Sequence, residues 1–175
     1  MRAYLIRVYF GFTLHAMTHP PSDANKVCGV ACAEIDIQEA NNKAWHTVAH
    51  TALDTVGSTV GYGGNSELGY AFGSEEYGPG SAIIDTMQPI QVSASFPYDA
   101  GSGLVTGIDM TLSQEGRTLS FSLDAASYGD GFVELTEALE AGMTPVVSYW
   151  TSTDMNWLVS IPEQNKPASC CFGPG

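Results

Sequence analysis

Residues 34–39 read Glu-Ile-Asp-Ile-Gln-Glu, and this alternation of acid and isoleucine constrains the fold more than any other segment. On a β-strand, residues two apart share a face. Glu34 and Asp36 then point together, while Ile35 and Ile37 point to the opposite side. Strict alternation would send Glu39 to the isoleucine side. One β-bulge near Ile37 and Gln38 corrects this, because a bulge inserts one extra residue, and all three acids then line one face.

The rest of the chain supplies further strands. Tyr, Val, Ile and Phe are concentrated in residues 4–14, and residues 30–38 alternate. Three more strand candidates are 83–96, 103–112 and 118–125, with a turn at 114–117 in which Gly116 takes the unusual backbone angle. Residues 144–150 and 156–161 return as strands. Residues 57–80 are glycine-rich without a helical period and read as a long ordered loop, a kind that is often functional. Phe132, Val133, Leu135, Ala138 and Leu139 set helical spacing over 132–141, closed by Gly142. With 44% hydrophobic residues, 19 glycines and only 14% charged residues, the composition suits turn-rich β structure better than a helical bundle. No internal repeat and no second domain is visible. The expectation is one domain over residues 1–175, mostly β, folded as a β-sandwich with one short helix.

Charge removes whole function classes. Acidic residues outnumber basic ones 19 to 6, a net charge of −13 without any Lys/Arg cluster. Such a surface repels phosphate backbones, so no nucleic-acid partner is expected, whereas a neutral polysaccharide is compatible. No apolar stretch is long enough to span a bilayer. The opening MRAYLIRVYFGFTLHAM is interrupted by Arg7 and His15 and reads as a strand-rich segment, with a poor signal peptide as the minor alternative. Cys28, Cys32, Cys170 and Cys171 lack the two-residue spacing of common zinc sites, and two disulfides in an oxidising compartment fit at least as well.

Three acids on one face raise at least one pKa, so the set holds a proton near neutral pH. Retaining glycosidases need that division of labour: one carboxylate attacks the sugar and another, protonated and about 5–5.5 Å away, gives its proton to the leaving oxygen. The short Asp36 between two long glutamates would hold or tune the nucleophile by sharing a proton. The competing readings are an acidic strand edge and a calcium site. Calcium loops interleave Asp and Asn with a Gly turn, whereas two isoleucines intervene here. His46 and His50, four apart, would share a helix face, but no HExxH pattern or third ligand accompanies them. His46 is therefore read as a solvated polar residue, and no metal or cofactor is expected. There is no Gly-x-Ser-x-Gly elbow, and GYGG (61–64) is followed by no Lys-Ser/Thr pair of a phosphate loop.

CAEIDIQEAN (32–41) resembles the active-site signature of glycoside hydrolase family 7, the cellobiohydrolases and endoglucanases. That signature is Glu-x-Asp-x-Trp-Glu-Ala-Asn after Cys and one further residue. Family 16 glucanases share a similar short strand, but other segments favour family 7. AHTALDTVG (49–57), GYGG (61–64), EYGPGSAIIDTMQPIQVSASF (76–96), AGMTPVVSYW (141–150), NWLVS (156–160) and FGPG (172–175) resemble its segments in the same order. The resemblance implies a concanavalin-like β-jelly-roll sandwich, here partial, and hydrolysis of β-1,4-glucan with retention, without a metal or cofactor. It implies Glu34 as nucleophile, Asp36 as assisting acid and Glu39 as acid/base. It places His50 beside the scissile bond, and Trp150 and Trp157 stacked on glucose faces, which suits the indole ring. A β-glucan is the implied partner of a secreted, monomeric protein.

The sequence also departs from the family pattern. Family domains are much longer, and the N-terminal half is missing here. Gln38 replaces the signature Trp, Gly61 stands where an Arg is expected, and Thr151-Ser152 replace an acidic pair. The usual cysteine partner of Cys32 would lie in the missing half, which leaves Cys32 reduced, joined to Cys28 or joined to the C-terminal cysteines.

Overall fold

A computed structural model describes residues 9–16, 24, 29–51, 72–150 and 158. The elements in chain order are β1 (Tyr9–Ala16), β2 (Glu34–Ala40), β3 (Trp45–His50), β4 (Tyr77–Gly78), β5 (Ile84–Asp85), β6 (Gln91–Ser95), β7 (Tyr98–Asp99), β8 (Leu104–Val105), β9 (Gly107–Gln114), β10 (Arg117–Asp124), α1 (Ala125–Tyr128), α2 (Gly131–Ala141) and β11 (Met143–Trp150). The fold is mostly β, as expected. The helix expected at 132–141 is α2, and a single turn, α1, precedes it.

Two sheets carry the architecture. One has strand order β11-β1-β2-β3 and the other β10-β9-β6. All pairings within them are antiparallel. In β9 and β10 every second residue is buried, so Ile108, Met110 and Leu112 stand beside Leu119, Phe121 and Leu123 on one face. These side chains form a single apolar cluster with Ile35, Ile37, Ala40, Trp45 and Ala49 of the first sheet and Phe132 and Leu135 of α2. Face-to-face burial of alternating apolar residues is what joins two sheets into a sandwich.

Local chemistry sets the connections. In the β2–β3 hairpin, Asn41 Oδ1 accepts from the backbone N–H of Lys43 and Ala44 at 2.7 and 2.9 Å, an Asx turn that reverses the chain. In the β9–β10 hairpin, Glu115 joins Gly116 at positive φ, 50° and 80°. The turn therefore needs the left-handed region at both central positions, where only the glycine was expected to supply it. Gly142 closes α2 at φ 95°, its N–H donating to Leu139 O at 3.2 Å.

The single strand expected over 83–96 is instead two, β5 and β6. The side chain of Asp85 accepts from the N–H of Gly80 and Met87, Gln88 N–H donates to Asp85 O, and Pro89 has no N–H for a ladder. Likewise 103–112 is divided into β8 and β9 at Thr106, whose N–H turns aside to Pro97 O at 2.7 Å. Of the loop expected over 57–80, residues 72–80 are described. Tyr77 is buried there, and its hydroxyl donates to Asn41 O at 2.9 Å, bracing the β2–β3 turn. Burial pushes this phenol well up, which keeps it a donor.

The core thins along β11. Its register with β1 puts Met143, Pro145, Val147 and Tyr149 on the side of Leu14. Met143 packs against the apolar cluster, but Val147 and Tyr149 are 77% and 60% exposed.

Candidate active site

The bulge expected near Ile37 and Gln38 lies at that place. Across β2 and β3, Asp36 is in register with Val48 and Glu39 with His46, so residues 37 and 38 together oppose Thr47. Across β1 and β2, Thr13 is in register with Asp36 and Phe12 with Gln38, which skips Ile37 on that side too. Thr47 secures the irregularity. Its hydroxyl donates to Ile37 O at 2.9 Å and accepts from Trp45 Nε1 at 3.0 Å, all within the core.

The bulge brings Glu34, Asp36 and Glu39 to one face of the sheet. Paired residues on antiparallel strands point the same way, so His50 opposite Glu34 and His46 opposite Glu39 share that face. Each carboxyl has different surroundings. Glu34 Oε2 accepts from Ala24 N–H at 2.9 Å. Asp36 Oδ1 accepts from the Thr13 hydroxyl at 2.7 Å, and its Oδ2 lies 3.3 Å from His50 Nε2. Glu39 is pushed well above the ordinary carboxylate range, first by burial and then by the charges of Asp36 and Glu34. The cluster thus pairs a carboxyl whose ionisation is disfavoured with two that accept hydrogen bonds.

The histidines are strand residues, not helical ones. His46 is 2% exposed, which corrects its reading as solvated; every residue of this strand is buried, on both faces, and burial pushes its imidazole down to about 4. His50 is buried against Asp36. Two contributors were missed: Thr13, which no local pattern links to Asp36, and Thr47. For Thr47 a signal existed, because Trp45-His46-Thr47-Val48-Ala49-His50 is rich in residues that favour strands. Cys32 is buried just before β2. Trp150 ends β11 in register with Tyr9. Its side chain, the whole of Trp157, the strand expected over 156–161 apart from Leu158, and Cys28, Cys170 and Cys171 lie outside the described residues.

No protein-family model matches the chain. It is 33% identical over 147 residues to endoglucanase EG-1 of Hypocrea jecorina, a match covering 75% of this chain and 31% of that protein. Its fold is similar to the native endocellulase EGI of Humicola insolens at a TM-score of 0.64 and 18% identity, over 89% of this chain and 55% of that one. It is also similar to a GH7 family cellobiohydrolase from Daphnia pulex, with a TM-score of 0.57 and 16% identity over 86% of this chain and 56% of that one. The chain therefore spans about a third of the length of that curated relative, 31%.

Proposed function

We propose, from the premise that this chain is a relative of the family 7 glycoside hydrolases, that it hydrolyses β-1,4-glucosidic bonds of cellulose or a related β-glucan with retention of configuration. The observation that carries this reading is the bulge in β2, which sets Glu34, Asp36 and Glu39 on one face with Glu39 held above the usual carboxylate range. Glu34 attacks the anomeric carbon. Glu39 gives its proton to the departing glycosidic oxygen, then takes one from the water that breaks the glycosyl–enzyme ester. Asp36 steadies the pair from between, fixed by Thr13 on one side and His50 on the other. His50, Trp150 and Trp157 hold the sugar, no metal or cofactor takes part, and the protein works as a secreted monomer. Among the described residues no helix is long and apolar enough to cross a membrane.

The test is release of fluorophore from an umbelliferyl β-cellobioside by the purified chain beside Glu34→Gln and Glu39→Gln. Turnover by the parent that both variants lose supports the enzyme. A folded parent without turnover overturns it.

A second reading, a glucan-binding sandwich without turnover, is favoured by the burial of Glu34 and Asp36, 8% and 6% exposed, which leaves little carboxylate surface for a sugar. In that case both glutamine variants retain the parent's affinity for cello-oligosaccharide.

A further inference from the structure

Glu39 stands in a row that crosses the first sheet: Ser148 of β11, Gly11 of β1, Glu39 of β2 and His46 of β3 are in register. Its two immediate neighbours differ in kind. Gly11 brings no side chain. His46 brings an imidazole that is 2% exposed. Directly opposed residues of antiparallel strands have Cβ atoms about 4.5–5.5 Å apart, so the two side chains leave the sheet side by side. The flank of Glu39 toward β3 is therefore filled by a buried ring. Among the described residues, the other titratable groups of this face are Glu34 and Asp36 on β2 and His50 on β3, and His15 of β1 is in register with Glu34 rather than Glu39.

We propose that His46 is a positioning residue for Glu39: its buried ring closes the β3 flank of the carboxyl against water. The proposal rests on the reading of Glu39 as the acid/base. A neutral ring suits this place, because it removes water without presenting a positive charge. A lysine or arginine in the same position would ionise Glu39 and spoil the proton donor. With its imidazole down at about 4, His46 is uncharged at neutral pH.

The test is a carboxyl titration followed by NMR on protein labelled with carboxyl-13C glutamate, with Glu39 assigned through Glu39→Gln. In His46→Ala, water reaches the β3 flank and the Glu39 midpoint moves down by about one pH unit. In His46→Phe, which restores a flat ring without nitrogens, the midpoint stays at the parent value. An unmoved midpoint in His46→Ala overturns the proposal, as does a His46→Phe that titrates like the alanine variant. If His46→Ala does not fold, His46→Gln, a flexible polar side chain that admits water, carries the same expectation. The titration needs no turnover, so a chain that fails to hydrolyse glucan but shows the His46 effect sinks the proposed function alone.

Discussion

His50 Nε2 lies 3.3 Å from Asp36 Oδ2, while Thr13 donates to the other oxygen of the same carboxylate. Asp36 therefore ties together three adjacent strands, with Thr13 on β1 and His50 on β3. Removing one member of a buried polar set costs more than the set contributes, since its partners keep their desolvation cost. Asp36→Ala is expected to lose about 2–4 kcal/mol of stability by urea denaturation. Asp36→Asn, which still offers Thr13 an acceptor, is expected to lose no more than about half of that. Equal losses would show that the charge facing His50, not the acceptor offered to Thr13, carries the tie.

Glu39 makes the site unstable where it is useful. Its folded pKa lies above the unfolded value, so the folded protein binds the extra proton between the two. Stability from this group is present below the model-peptide value of 4.5 and is lost as pH rises through the folded pKa. Glu39→Gln cannot ionise. It is expected to melt above the parent at pH 7 and with the parent at pH 4. A variant that melts below the parent at pH 7 would show that the carboxyl is not held protonated.

His46 tilts the curve the other way. Its folded pKa of about 4 lies below the ordinary 6.5, so the unfolded chain takes up a proton that the folded one refuses. Stability from this group is present above 6.5 and lost as pH falls toward 4. The full loss is on the order of 3 kcal/mol. His46→Gln is expected to flatten this acid-side slope in denaturation midpoints taken between pH 7 and 4. An unchanged slope would place the titration elsewhere.

The β9–β10 turn holds Glu115 at φ 50°, a region a branched or long side chain rarely adopts. Asn tolerates it, and Asn-Gly is the favoured pair where both central residues have positive φ. Glu115→Asn is expected to raise stability by about 0.5 kcal/mol, read as a higher urea midpoint, despite losing the exposed contact with Arg117 at 3.1 Å. A drop would mean that the Arg117 contact outweighs the backbone gain.

The bulge was legible in the sequence because three acids in six residues can share a face only if one residue is inserted. The helix was legible through its spacing and Gly142. The strand β3 was less legible: its residues favour strands, but the four-residue spacing of His46 and His50 fits a helix face as well as a strand face. The pairing of Thr13 with Asp36 joins positions 23 apart and depends on which strands become neighbours, which local pattern does not encode. The break in 83–96 turned on the side chain of Asp85 capturing two backbone donors, which outweighed the β propensity of the isoleucines and valine around it.

Thr47 links the core to the acid face. Its hydroxyl holds the carbonyl of Ile37, the residue skipped in the pairing of β1 with β2, and receives the indole N–H of Trp45. Thr47→Val keeps the shape but leaves a buried carbonyl and a buried indole N–H without this partner, a cost of about 2–4 kcal/mol. Trp45→Phe removes only the outer donor and leaves the bond from Thr47 to Ile37 intact. Without that bond the bulge can relax, and a slip of one residue sends Glu39 toward the core side. At a temperature where each variant is folded, Thr47→Val is thus expected to slow cellobioside hydrolysis at least about tenfold, Trp45→Phe much less, and Thr47→Ser little, because it restores the hydroxyl. If all three variants keep the parent rate per folded molecule, the bulge is held by strand pairing alone and Thr47 serves only stability.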